Sequence, residues 1–113
     1  MTLKDFATLL ETVTDNVGHF KAKKKGFPRI IFGETDGIYV PSDGTNDRIG
    51  WEVEVMYFTT ESFDSNVDAL EAVFNDNRIP FEMVAVQHGA VEIDRETLCE
   101  SVIGYLYECE VKQ

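Results

Sequence analysis

Residues 51 to 58 read WEVEVMYF, and this stretch limits the possible folds more than any other in the chain. Trp51, Val53, Val55 and Tyr57 fall on one side of an extended backbone and Glu52 and Glu54 on the other, the period of two of a half-buried strand. The apolar side needs a cover. The segment Asp64 to Asn77 supplies one, because Val67, Leu70, Val73 and Phe74 recur at helical spacing and Ser65 with Asp68 forms a capping-box pattern. A helix is therefore expected to return across the sheet.

Leu3, Phe6, Leu10, Val13 and Val17 return every three or four positions, which predicts a first helix over Leu3 to Val17 with Thr2 as its cap and Gly18 as its end. The following HFKAKKKGFP reads as a polar, basic connector that runs into Pro28. Arg29 to Phe32 is a short strand. The stretch from Gly33 to Gly50 is rich in glycine and acids, with Ile38 to Val40 as its apolar island. Asp43-Gly44 marks a turn, so the island and WEVEVMYF are expected to form a loose hairpin whose loop is partly mobile.

Pro80 opens a strand over Phe81 to Val86, His88-Gly89 marks a turn before Val91 to Ile93, and Asp94 to Glu100 reads as one helical turn. The closing strand, Ser101 to Val111, places Ile103, Tyr105, Tyr107, Cys109 and Val111 on one face and Val102, Leu106, Glu108 and Glu110 on the other. A strand apolar on both sides is either central or covered by another subunit. Together these elements predict one α+β domain over residues 1–113, a mostly antiparallel sheet of about four or five strands with both helices packed on it.

The formal charge of −11 sets 21 acidic against 10 basic residues. Lys21, Lys23, Lys24, Lys25 and Arg29 lie within one short window, so the rest of the chain is overwhelmingly acidic. Such a field repels nucleic acid and argues against groove reading of DNA. The lysine window could touch phosphates, anchor to an acidic neighbouring subunit, or be a solvated turn. Cys99 and Cys109 read as reduced, buried thiols. The apolar runs fall far short of a membrane span, and the chain reads as soluble and made inside the cell.

Chemistry is sparse. His19 and His88 stand in no metal-ligand or nucleophile-base spacing, and the glycines lead no phosphate-binding helix. Asp64, Asn66 and Asp68 match the opening of a calcium-binding EF-hand loop, but Ala69 stands where its glycine belongs and Asn75 where its bidentate glutamate belongs. Helix capping accounts for them better. Glu52 and Glu54 read as solvated or interface-lining charge rather than an acid-base pair. No enzyme activity, cofactor or metal is expected.

The order and texture of residues 27 to 111 resemble the tail terminator family, the small tail-completion proteins of long-tailed bacteriophages. The resemblance runs through FPRIIFG, then IGWEVEVMYFTTESFDSNVDALEAVF, then IPFEM and VEIDRETLCESVIGYLYECEV. It implies a structural virion protein of the tail or neck, assembled in the host cytoplasm. Copies would form a ring, typically a hexamer, on the last ring of the tail tube protein, stop its growth and present a joining surface to the neck or head-completion protein. DNA would pass through the channel without specific binding. On this reading Lys21, Lys23, Lys24, Lys25, Asp36, Asp43, Asp47, Glu52 and Glu54 are the candidate contacts to other subunits or the tube, with Glu34 to Asp47 as an interaction arm. AVQHGA and the lysine run have no counterpart in the family pattern. The rival reading is an acidic DNA mimic that inhibits a host defence enzyme; a small hydrolase lacks any assembled nucleophile.

Overall fold

A computed structural model describes residues 1–94 and 97–113, with side chains described outside 90–100. The elements run α1 (Leu3–Leu10), β1 (Val17–His19), β2 (Arg29–Ser42), β3 (Thr45–Thr59), α2 (Ser65–Asp76), β4 (Phe81–Asp94) and β5 (Thr97–Lys112). The strands form one sheet in the order β1-β2-β3-β5-β4, and only the β1–β2 pairing is parallel. This is the expected α+β architecture, with β5 central between β3 and β4.

The period-two reading of β3 holds. Val53, Val55 and Tyr57 are buried, and they pair with Cys109, Tyr107 and Tyr105 of β5 on the same face. That face carries both helices. Leu70 and Phe74 of α2 and Phe6 and Leu10 of α1 close over it without residual exposure, and Trp51 packs at the margin. The rings interlock: Phe6 stacks on Phe74 at 6.2 Å, and Tyr107 meets Phe74 edge-on at 5.7 Å.

The first helix ends seven residues before its expected end at Val17. Its start is as read, since the Thr2 hydroxyl accepts from the Asp5 amide and the Asp5 carboxylate accepts from the Thr2 amide. The end comes early because Thr12, Val13 and Thr14 are β-branched and costly in a helix, and the Thr12 hydroxyl donates to the Leu9 carbonyl at 2.6 Å. Val17 still reaches the core, but from β1, paired with Ile30. Gly18 is a strand residue rather than a helix stop.

The stretch expected to hold a partly mobile loop is a continuous ladder from Asp36 opposite Glu52 to Ser42 opposite Thr45. Its turn is Asp43-Gly44, both at positive φ (36° and 82°). Glycines and bulges after Glu34 and Ile38 accommodate the pairing instead of breaking it. Likewise Gly89, at φ 104°, sits at a bulge inside an unbroken β4 rather than in a turn. Thr97 to Glu100 belong to β5, not to a helical turn, and residues 95 and 96 of that expected turn lie outside the described residues.

The α2 cap is Asp64, one residue before the expected Ser65 box; its carboxylate accepts from the Asn66 amide at 2.8 Å. No helix among the described residues is long and apolar enough to cross a membrane.

Leu70→Ala leaves a hole under the strand-helix contact and is expected to cost about 2 to 5 kcal/mol in urea unfolding. A loss below 0.5 kcal/mol would contradict the central place of that contact.

Candidate interaction surface

The alternation that buries Val53, Val55 and Tyr57 sends their neighbours to the opposite face, and register aligns those neighbours across the sheet. Asp36, Glu52 and Glu110 of β2, β3 and β5 lie directly opposite one another in one row. Glu54, Glu108 and Glu82 of β3, β5 and β4 form the next. Like charges at directly opposed positions repel. A groove of about 320 Å³ runs beside them, with Glu52, Glu82, Glu108 and Glu110 in its lining. Lys112 lies 3.7 Å from Glu110.

Further along the same face the rows turn apolar. Ile31, Phe58 and Val102 are buried there by Ala22 and Phe27, which belong to the lysine-bearing loop between β1 and β2. The loop is held from within. Buried Asn16 donates from Nδ2 to the carbonyls of Lys24 (3.3 Å), Gly26 (3.3 Å) and Pro28 (3.4 Å), and its Oδ1 accepts from the Lys24 amide at 3.3 Å. Arg29, also buried, donates from Nε to the Gly26 carbonyl at 2.9 Å, and its guanidinium lies 4.7 Å from the Phe27 ring centre. The Phe27–Pro28 peptide is cis. At Gly18 a β-carbon would stand 1.8 Å from the Lys21 carbonyl oxygen, so the loop closes tightly over that residue.

Lys21, Lys23, Lys24 and Lys25 are all exposed on this loop. Part of their charge is used within the chain, because Lys24 Nζ meets the Asp15 carboxylate at 3.1 Å and Lys23 Nζ donates to the Asp15 carbonyl at 3.3 Å. The Lys24 contact lowers the Asp15 carboxyl below its ordinary range.

Of the acidic candidates, Asp36, Glu52 and Glu54 join one patch. Asp43 and Asp47 do not; they lie at and near the tip of the β2–β3 hairpin, which extends past the end of β5 at Gly50 opposite Lys112. That hairpin exposes Tyr39 and Val40, while Arg48 lies over Trp51 at 4.2 Å. Sequence reasoning missed Glu82, Glu108 and Glu110 as members of the patch. Their alternation with Tyr107 and Cys109 was a usable signal for β5, but only the register brings β5 beside Glu52, Glu54 and Glu82.

Polar groups inside the fold serve structure. The Tyr57 hydroxyl donates to Asp64 at 2.5 Å and accepts from Asn66 Nδ2 at 3.1 Å. Burial pushes Tyr57 well above the ordinary tyrosine range, reinforced by its bond to Asp64. At Asp64 burial alone would raise the carboxyl, but hydrogen bonds from Tyr57, Thr59 and the Asn66 amide outweigh it and lower it. Asp64 is thus committed to capping, as the failed EF-hand match implied. Burial pushes the Cys109 thiol up to about 12, and it is unpaired; Cys99 lies outside the described side chains. His19 lies 3.1 Å from Glu34 and His88 is exposed on β4. Among the described residues no cluster of histidine, cysteine and carboxylate side chains could hold a metal.

No protein-family model matches the chain, and no curated protein matches it.

Three outcomes test this picture. Asn16→Ala removes the buried side chain that ties three loop carbonyls together and is expected to cost about 1 to 3 kcal/mol, with amide exchange rising first over residues 20–28. Glu108→Gln relieves cross-strand repulsion and is expected to stabilise the single chain by about 0.2 to 1 kcal/mol, a gain that shrinks as salt rises; a destabilised variant would mean the carboxylates help hold the sheet. Because Asp64 is lowered on folding, its contribution is present above the ordinary aspartate range and is lost as pH falls through the folded value. Asp64→Asn should therefore unfold at acid pH with a shallower dependence than the parent.

Proposed function

We propose that the chain is a ring-forming structural protein of the tail terminator type, which caps a phage tail tube, stops its polymerisation and offers a joining surface to the neck. The observation that carries the reading is the β2–β3 hairpin. It projects beyond the helix-covered sheet, exposes Tyr39 and Val40, and is a two-stranded ribbon of a kind that gains stability by docking on something else. A charge of −11 also suits a conduit that must not hold DNA. In this role the protein works in the virion, partnered by copies of itself, the tube protein and a neck protein.

One observation favours the DNA mimic: the carboxylate rows cross strands at a regular spacing of about 4.8 Å, a line of negative charge that a basic groove could accept. The anchored lysine loop on the same face weighs against it, since a mimic has no use for concentrated positive charge. Native mass spectrometry and negative-stain imaging of the protein, alone and with tail tubes, separate the two. Rings or capped tubes are expected. A monomer that ignores tubes but blocks a DNA-binding enzyme would replace the proposal with the mimic.

Within the terminator reading, replacing Tyr39 and Val40 by serine is expected to leave the melting temperature nearly unchanged and to impair capping, judged by tube lengths in the microscope. Tubes of normal length would remove the hairpin from the docking surface.

A further inference from the structure

We infer that the uncovered part of the second sheet face, with the neighbouring edge of β4, is the docking surface for the lysine loop of a second copy of this chain. The inference rests on the ring reading and specifies how subunits would meet.

The sheet is asymmetric in cover and in charge. At the β1 and β2 side its second face is closed by the chain's own loop. Towards β5 and β4 it is uncovered, and there Glu54, Glu108 and Glu82 align beside the groove. β4 is the edge strand on this side of the sheet. It carries neither lysine nor proline between Phe81 and Asp94, although its register shifts after Met83, Gly89 and Glu92; exposed Met83 and Val86, opposite Tyr107 and Tyr105, lie on the helix-bearing face. The row of carboxylates fits a partner that brings positive charge, and the free edge beside it leaves room for that partner's backbone.

The lysine loop offers that charge. It presents Lys21 and Lys23 with exposed Phe20 beside them, and Asn16 and Arg29 hold its backbone in place, which reduces the ordering cost of binding. In its own subunit it lies at the other side of the sheet, with Lys23 and Lys24 drawn to Asp15 rather than to the carboxylate rows. Each chain thus carries the two complementary halves of a contact on different parts of its surface. Such a contact is head-to-tail, and head-to-tail contacts close into rings when the rotation per subunit permits. A second copy is favoured over an unrelated basic partner because at −11 per chain association requires local offset of like charge, and this loop holds four of the ten basic residues.

The test begins with wild-type protein, half of it isotope-labelled, treated with a carbodiimide that joins touching amines and carboxylates. Interchain links from Lys21 or Lys23 to Glu82 or Glu108 are expected. Two variants follow, Lys21→Glu with Lys23→Glu and Glu82→Lys with Glu108→Lys, each checked for its native melting transition. Each alone should weaken self-association about tenfold or more by analytical ultracentrifugation, and mixing the two should restore it. Rings that form normally from both variants, or interchain links that map only elsewhere, would overturn this interface and leave the terminator reading intact. A wild-type chain that stays monomeric at high concentration and on tail tubes would overturn both.

Discussion

The strict alternation of β3 is the constraint on which the rest depends. Val53, Val55 and Tyr57 must leave water, and the pleat then forces Glu52 and Glu54 to the other side. Slipping the strand by one residue would bury two carboxylates and expose the apolar set, so the register is strongly specified. Both helices follow from this, because one sheet face is apolar over three strands and each helix has a narrow apolar stripe to bury. The central position of β5 follows too, since its Tyr107, Cys109 and Val111 complete the same face.

The consequence on the other face is less usual. Pairing antiparallel strands with the same alternation places carboxylate opposite carboxylate, which a sheet selected only for stability would avoid. The fold tolerates this because the opposite face supplies ample burial and the Glu side chains retain contact with water. A basic loop anchored on the same face gives the surface two poles of opposite charge. The buried polar groups are meanwhile consumed internally: Asp64 by Tyr57 and the Asn66 amide, Asn16 and Arg29 by the loop backbone.

Elements with a strong period were legible. The α2 segment, the core pairing under Leu70, the Asp43-Gly44 turn and the two-sided closing strand all follow from spacing and turn chemistry. Errors arose where local preference and tertiary pairing disagree. Val13 and Val17 continue a helical period from Phe6, yet the β-branched run at Thr12 to Thr14 weakens the helix and β2 offers Val17 a strand partner. His88-Gly89 reads as a turn because glycine readily takes a positive φ, but the same conformation, φ 104° here, serves a bulge when a long partner strand lies alongside. The residues from Glu34 to Asp47 look like a loop by composition, yet β3 supplies a template for pairing.

The sequence by itself determined the fold class, the identity of the apolar face, the excess of negative charge and its one basic window, since each depends only on composition or on periods within a single segment. Only the tertiary structure decided that Asp36, Glu52 and Glu54 stand with Glu82, Glu108 and Glu110, that Asp43 and Asp47 stand apart on a projecting hairpin, and that Asn16 organises the lysines. These arrangements depend on register between strands distant in the chain and on side chains satisfying backbone groups far from them in sequence. Neither is encoded in any local pattern, because both are properties of the pairing and not of the segments paired.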